Sequence, residues 1–426
     1  MSSLLVALAI VAGHPEAEAA FADYSRHPGS AYLSLAECPV ERRDELENVL
    51  RFVVPSLSSK SHLSEQLPER VPGSLLLRLN LEGLGWLKTW EGVIAAHYVP
   101  VYRPDLSQTK ALPLVVNGQW FAATIMDSQL TGDAQYRLLY GTPPKNAKEF
   151  LAHWQVNAKG DLTFGRVEGQ SGVSVQLTRL IENLASGNRG YAWITYDSRL
   201  TAGNADPLEN LTARPVKHDA SELIAAIPKY IGNQRGTLQA YFLANAKGER
   251  QEKAPADIVT DSTGTRGVEI RNTLSCVACH EEGIRQPTLD TYRHYILSGA
   301  RITTKDKATQ QEIDRYLDSP IAQEISRNNS DYSAGVALCN GFTTQQNARA
   351  FRNVVRAWDG LVSPEQAALE LYVTPEEWRL ALGNYSRTYQ LTGRLALMAQ
   401  GQSISRPQWE ANFALAYKVL HAWHAQ

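Results

Sequence analysis

The chain reads as an α+β protein, mixed in its first 255 residues and mainly helical from there on. Three observations predict this. Short β-rich runs, Ser74–Leu81, Tyr191–Tyr196 and Thr237–Ala244, alternate with helical stretches in the first part. From Pro287 onward nearly every stretch carries helical spacing, often opened by Ser, Thr or Pro. The 426 residues are 43% apolar and 20% charged, an ordinary folded composition long enough for two or three domains.

In chain order, Leu4–Ala12 is a short apolar core with no Lys or Arg before it, and Ala17-Glu-Ala-Ala20 supplies small residues of the cleavage type. Residues 1–20 are therefore expected to be a signal peptide, 21–255 an α+β region, and 256–426 the mainly helical region. Pro39–Val53 sets Val40, Leu46, Val49 and Leu50 against charged neighbours, an amphipathic helix opened by proline. Ser74–Leu81 alternates as a strand. Trp86–His97 is helical, and Pro100, Pro104 and Pro113 punctuate a loop. Trp120–Ile125 is a mixed apolar run.

Pro143-Pro144 opens a helix through Trp154, with Phe150 and Trp154 one turn apart. Gly169–Gly172 breaks the chain before a second helical run, Val173–Leu184. Tyr191–Tyr196 is a strand. Thr237–Ala244 is another, running into a hairpin loop at Asn245–Gly248. Helices are expected at Leu289–Ser298, Lys305–Leu317, Thr344–Trp358, Pro364–Tyr372, Pro375–Ala399 and Pro407–Trp423. The sequence has no internal repeat.

Where the two regions join stands Cys276-Val-Ala-Cys279-His280. Two cysteines with two residues between them, followed at once by histidine, form the c-type haem attachment motif. The spacing puts both thiols on one side of a helical turn, where they add to the two vinyl groups of one porphyrin. The next residue, His280, supplies the proximal imidazole to iron. Such a histidine usually gives its other ring proton to a carbonyl or carboxylate. One haem c, held through two thioethers at Cys276 and Cys279, is the expected cofactor. Three other chemistries use CxxC. A zinc site needs four ligands, and the only further cysteines, Cys38 and Cys339, are single and distant. A thioredoxin-like pair and a plain disulfide remain open.

The motif resembles that of c-type cytochromes. More widely, the chain resembles a large group of exported bacterial single-haem proteins. That likeness is carried by Arg78-Leu-Asn-Leu-Glu-Gly-Leu-Gly-Trp86, Ser171-Gly-Val-Ser174, Leu238-Gln-Ala-Tyr-Phe-Leu243 and Lys253-Ala-Pro-Ala-Asp-Ile-Val-Thr-Asp261. It implies export to the periplasm, covalent haem binding and electron transfer with a redox partner protein. It implies no particular substrate. In an oxidising compartment Cys38 and Cys339 have the chance to pair, or stay separate buried thiols.

Function then turns on iron's sixth ligand. A small soluble cytochrome c has a distal Met some tens of residues after its motif, and this chain has none between His280 and Met398. The candidates are Met398, His294, Met126 or an open site. Met398 follows Leu391 and Leu395 at helical spacing, which equally makes it core. Met126 closes an apolar run, and His294 reads as a solvated helix residue. A firm sixth ligand means an electron carrier. An open one means a haem enzyme or gas sensor. A third role is a binding module in which haem is structural. Glu281-Glu282 beside the motif either tunes docking or is simply solvated.

The charge balance, 42 Lys+Arg against 44 Asp+Glu, gives −2 and no signal for nucleic acid. Beyond the N-terminal signal, no run reaches the roughly 18 to 20 apolar residues of a spanning helix.

Overall fold

The computed structural model describes residues 15–97, 115–156, 166–170, 178–186, 190–197, 218–256, 259–260, 266, 268–285, 321–389 and 393–424. The chain forms two compact units that interleave along the sequence. Unit 1 takes Met1–Val54, Glu65–Ile125 and Ala350–Gln426, and unit 2 takes Pro55–Ser64 and Met126–Arg349. The mixed α/β character expected from the sequence is present.

In unit 1, strands β1 (Ser30–Ser34), β2 (Glu69–Arg70), β3 (Leu76–Asn80) and β4 (Val115–Asn117) form a sheet in the order β2-β3-β1-β4. β1 pairs antiparallel with β3 and parallel with β4. Tyr32, Leu33, Leu76, Leu77 and Leu79 are fully shielded from water, so this small sheet is held by burial on its faces. The apolar run at Trp120 is a helix, Gly118–Thr124, whose first turn is capped by Asn117 Oδ1 accepting from the Trp120 amide at 3.0 Å. It delivers Phe121 against the stacked pair Trp86–Trp90, whose centroids are 5.7 Å apart. Alanines 17, 19 and 20 lie in a helix, Pro15–Tyr24. There Ala20 packs on Tyr32, Val71 and Leu76, and the Glu16 carboxylate accepts from the Leu75 amide.

Unit 2 is built on a six-stranded antiparallel sheet: β5 (Arg166–Gln170), β6 (Thr178–Ser186), β7 (Gly190–Asp197), β8 (Ala220–Ile231), β9 (Gln234–Asn245) and β10 (Arg250–Gln251). The strand order is β10-β9-β8-β7-β6-β5. The expected strands at Tyr191 and Thr237 are β7 and β9. The expected helix Val173–Leu184 is corrected: residues 173–177 lie outside the described set, and 178–186 are strand β6. Leu180 pairs with Tyr196, Glu182 with Ile194 and Leu184 with Ala192, while β5 bonds the other edge. Ladders on both sides of the segment outweigh a local helical spacing. β8, which the sequence did not announce, pairs along its whole length with β9. Its Pro228 gives no amide to the ladder, and the strand tolerates it opposite Thr237.

A 20-residue helix, Ile321–Asn340, packs on β8 and β9. Gly335 of the helix meets Gly236 and Thr237 of β9 backbone to backbone, and a Cβ on either glycine would collide. Trp193 Nε1 donates to Asn328 Oδ1 of the same helix at 2.9 Å. On β9, Phe242 meets Phe150 and Tyr136 of the helices Ala147–His153 and Ala134–Tyr140, at 5.1 and 6.0 Å. The expected helices Leu289–Ser298 and Lys305–Leu317 lie outside the described residues.

The last segment returns to unit 1. Helices Pro364–Glu370, Pro375–Tyr389, Arg394–Ala399 and Arg406–His424 enclose Leu371, Trp378, Leu382, Leu395, Trp409 and Phe413. The expected single helix Pro375–Ala399 is thus two. A two-stranded ribbon, β11 (Leu361–Val362) and β12 (Ile404–Ser405), ties the group together. Inside it, Arg406 donates to both Glu370 oxygens, at 2.8 and 2.9 Å, and to the Trp358 carbonyl at 3.0 Å. Cys38 in unit 1 and Cys339 in unit 2 are both buried. Among the described residues, no helix is long and apolar enough to cross a membrane.

Candidate functional site

The motif lies in unit 2 on a short helix, Leu274–Cys279, and what precedes that helix fixes where it starts. Asp127 is fully buried and its Oδ2 accepts from Arg266 at 2.7 Å and Arg271 at 2.8 Å. Lys253 bridges to Arg271, and Asp127 to Thr273, in antiparallel fashion. Arg271 donates its amide to Ser275 Oγ at 2.9 Å. Thr273 then turns through φ 64, ψ −52, with the Leu274 amide donating to the Asn272 carbonyl at 2.8 Å. That is a γ-turn in its rarer form, strained for a β-branched residue, and it persists because the bonds on either side of it leave the chain no alternative path.

From this turn the helix runs one and a half turns. The Val277 amide donates to the Thr273 carbonyl and the His280 amide to the Cys276 carbonyl, at 2.9 and 2.8 Å. Cys276 and Cys279 therefore stand three residues apart on one helical face, with His280 a full turn past Cys276. Cys276 is 1% exposed, Cys279 half-buried, and His280 8% exposed. The structure brings the three predicted residues together as the spacing required.

His280 finds the partner the sequence did not show. Its Nδ1 lies 2.9 Å from the Gly283 carbonyl, which only accepts, so Nδ1 carries the proton and Nε2 is the nitrogen left for a metal. The carbonyl is itself held. Gly283 has φ +92, and the next residue, Ile284, is clamped at both backbone groups by the Asn329 amide, at 2.7 and 2.8 Å. Asn329 comes from the helix Ile321–Asn340, and a Cβ on Gly283 would strike it. Arg285 closes the helix end by donating to the Cys279 carbonyl at 2.9 Å.

Asn329→Ala is expected to lower stability by roughly 1–3 kcal/mol, because it leaves two buried backbone groups unpaired. It should also free the His280 ring. Denaturation and the His280 imidazole NMR signals test this. If both are unchanged, the helix does not hold the Gly283 carbonyl.

The other wall is the sheet. Glu222 on β8 and Tyr241 on β9 share one face, since Ile224 pairs with Tyr241 and Glu222 with Leu243. The Tyr241 ring lies 5.9 Å from the His280 ring at 30°. Its hydroxyl donates to Gln239 Oε1 at 2.8 Å, and Gln239 Nε2 donates to the Tyr191 hydroxyl at 3.1 Å. Glu222, 7% exposed, places Oε1 3.4 Å from His280 Nε2. Burial and the Glu222 carboxylate, hydrogen-bonded to the thiol, push the Cys276 thiol well above the usual thiol range. A reactive redox dithiol needs the opposite, a lowered thiol in an electropositive, accessible setting.

Of the distal candidates, Met398 is 1% exposed in the apolar core of unit 1, the core role its spacing also allowed. Met126, also 1% exposed, lines a small cavity with Gln135, Gln239, Tyr241 and Thr273. His294 lies outside the described residues. Of the acidic pair after the motif, Glu282 accepts from Gln345. Sequence reasoning missed Glu222, Tyr241 and the Gly283 carbonyl. The signal for Glu222 was present as one acid in the otherwise apolar start of β8, Leu223–Ile227 following directly.

Among the described residues, no group of three or more His, Cys, Asp or Glu converges as a metal-ion site. No protein-family model matches the chain, and neither the curated proteins nor the solved structures hold a match to it.

Proposed function

We propose that this chain is an exported, mono-haem c-type protein whose role is electron transfer to or from a redox partner protein. The observation that carries the reading is the pairing of the two thiols on one helical face with an imidazole whose Nδ1 is fixed by the Gly283 carbonyl. This donor set fits haem c: two cysteines to hold the ring and one nitrogen, Nε2, to bind iron. Haem c would supply a one-electron Fe(III)/Fe(II) couple.

The chain's own residues do the rest. Gly283 and Asn329 orient the imidazole, and hydrogen bonding at Nδ1 makes Nε2 a stronger donor. The Tyr241 ring lies beside the imidazole, 5.9 Å away and tilted by 30°, and shields that side. The residues around the motif come from β8, β9, the helix Leu274–Cys279 and the helix Ile321–Asn340, and export would place them in the periplasm. The zinc and redox-dithiol readings lose ground to the raised Cys276 thiol and to Cys38 and Cys339 being buried elsewhere.

The full chain, produced in a host that attaches haem c, should retain haem after denaturation. Cys276→Ala or Cys279→Ala should each leave a single thioether, seen in the pyridine haemochrome spectrum, and the double variant none. His280→Ala should change the axial spectrum while the porphyrin stays attached. Covalent haem at full load in the double variant would disprove the assignment.

A further inference from the structure

We infer that the small cavity beside the motif is a binding site for one water molecule, held by the side-chain amide of Gln135. The site lies wholly in unit 2, goes beyond the haem-c reading and does not rest on it.

Size decides the class of ligand. The cavity leaves about 10 Å³ for the centre of a water-sized sphere. A single buried water needs roughly 10–15 Å³ of such space, so the cavity has room for one water and for no organic molecule. Its walls are closed, since none of the residues lining it is more than 7% exposed.

Chemistry decides whether the space is wet. Buried cavities that stay dry are lined by apolar side chains. Here Met126 and Leu139 share the wall with Gln135, Gln239, Tyr241 and Thr273. Gln239 and Tyr241 are bonded to each other, and Gln239 also bonds Tyr191. Gln135 is different. It is 2% exposed, and neither its Nε2 nor its Oε1 has a hydrogen-bond partner in the chain. An amide cut off both from bulk water and from protein groups costs free energy at each atom. One water accepts from Nε2 and donates to Oε1 in a single ring, so it answers both.

Position gives the site its consequence. Gln135 is the second residue of the helix Ala134–Tyr140. The same cavity is bordered by Thr273, the strained residue from which the motif helix starts, and by Tyr241, whose ring lies beside His280. Asn272, next to Thr273, is fully buried with its Oδ1 also unpartnered, so the chain's own groups undersupply the polar atoms around this turn. The bound water adjoins both the helix Ala134–Tyr140 and the entry to the motif. Its loss is expected to weaken the amide-exchange protection of Leu274–Cys279.

The test uses the full-length wild type and Gln135→Met, which keeps the side chain's length and removes both polar atoms. A wild-type crystal structure sharp enough to show ordered water should carry one density peak within about 3.2 Å of Gln135 Nε2 or Oε1. In solution, oxygen-17 relaxation dispersion counts long-lived internal waters, and the count should fall by one in Gln135→Met. The denaturation midpoint should fall as well, because the variant takes away the partners of the water. A dry amide predicts the opposite sign. An apolar side chain of similar size would then relieve two unpaired atoms, and the midpoint would rise. The wild-type measurements decide the matter even if Gln135→Met fails to fold, and none of the readouts involves haem.

A wild-type cavity without density, with the Gln135 amide turned onto a protein group, would overturn the inference. So would equal water counts in wild type and folded Gln135→Met, or a raised midpoint in the variant.

Discussion

Arg406→Ala should cost unit 1 about 3–5 kcal/mol, the usual penalty for leaving one member of a buried ion pair uncompensated. Glu370 and Arg406 have side chains only 3% and 6% exposed. The fork is bidentate, at 2.8 and 2.9 Å. Trp409 Nε1 gives Glu370 Oε2 a third bond at 2.7 Å, and Gln366 Nε2 bonds Oε1 at 3.0 Å. The guanidinium also lies 3.8 Å over the Trp358 ring and bonds its carbonyl. Removing the arginine strands a carboxylate among Leu371, Trp378 and Trp409. Glu370→Ala strands the cation instead.

The double variant Glu370→Met/Arg406→Met should lose less than either single change, since no charge is left buried. Denaturant unfolding, with amide exchange of the helices 364–424 as the local readout, measures all three. Single variants within about 1 kcal/mol of wild type would mean the pair is solvated and the core tolerates its loss.

Raising the pH from 7 to 10 should stabilise unit 2 by several kcal/mol, through Lys229. This lysine is fully buried on β8, and its Nζ donates to the Ser58 and Lys60 carbonyls at 2.9 and 2.8 Å. Burial pushes its pKa down to about 7, against 10.5 for an unhindered lysine, and the Cys339 thiol pulls weakly the other way. Between those two values the unfolded chain binds a proton that the folded one does not, so stability climbs with pH through that window. It is fully present above 10.5 and lost as pH falls to 7, below which the curve is flat. Each unit of separation is worth about 1.4 kcal/mol.

Lys229→Met should abolish the slope. It should also lower the plateau, because it leaves both carbonyls without their donor. Unfolding at pH 6 to 10 reads this directly, and a flat wild-type curve would sink it. Unit 1 should respond with the opposite sign at lower pH. Burial raises the Glu37 carboxyl to about 7 from 4.5, so its contribution is complete below 4.5 and is lost as pH rises through 7.

The motif was legible because its chemistry is a matter of spacing along five consecutive residues, a spacing that any helical turn realises. The strand at Tyr191 was legible because β-branched and aromatic residues dominate it, and the one at Thr237 because an apolar run ends in a glycine-bearing hairpin loop at Asn245–Gly248. Val173–Leu184 misled because its helical spacing is local, whereas its partners Tyr196, Ile194 and Ala192 are a strand away. The site's second wall was hidden for the same cause. Glu222 becomes a neighbour of His280, 58 positions later in the chain, only when β8 enters the sheet beside β9. The Gly283 carbonyl has no side chain to betray it, and its anchor, Asn329, is one polar residue among many on its helix.

The interleaving of the two units sets an order of assembly. Glu37 waits for Tyr372 and Gln366, and Glu45 for Asn353, so the first segment of unit 1, though β1 can already pair with β3 and β4, lacks part of its native contacts until the last segment is made. Unit 2 needs only the 55–64 stretch and Met126–Arg349. At roughly 5–20 residues per second, the stretch between them keeps the opening segment waiting for about 15–60 s of synthesis. The inner unit therefore matures first and the outer one closes last. A chain that stops near residue 349 should yield a folded sheet flanked by an unfinished, apolar N-terminal arm, the form of this protein most exposed to proteolysis and aggregation.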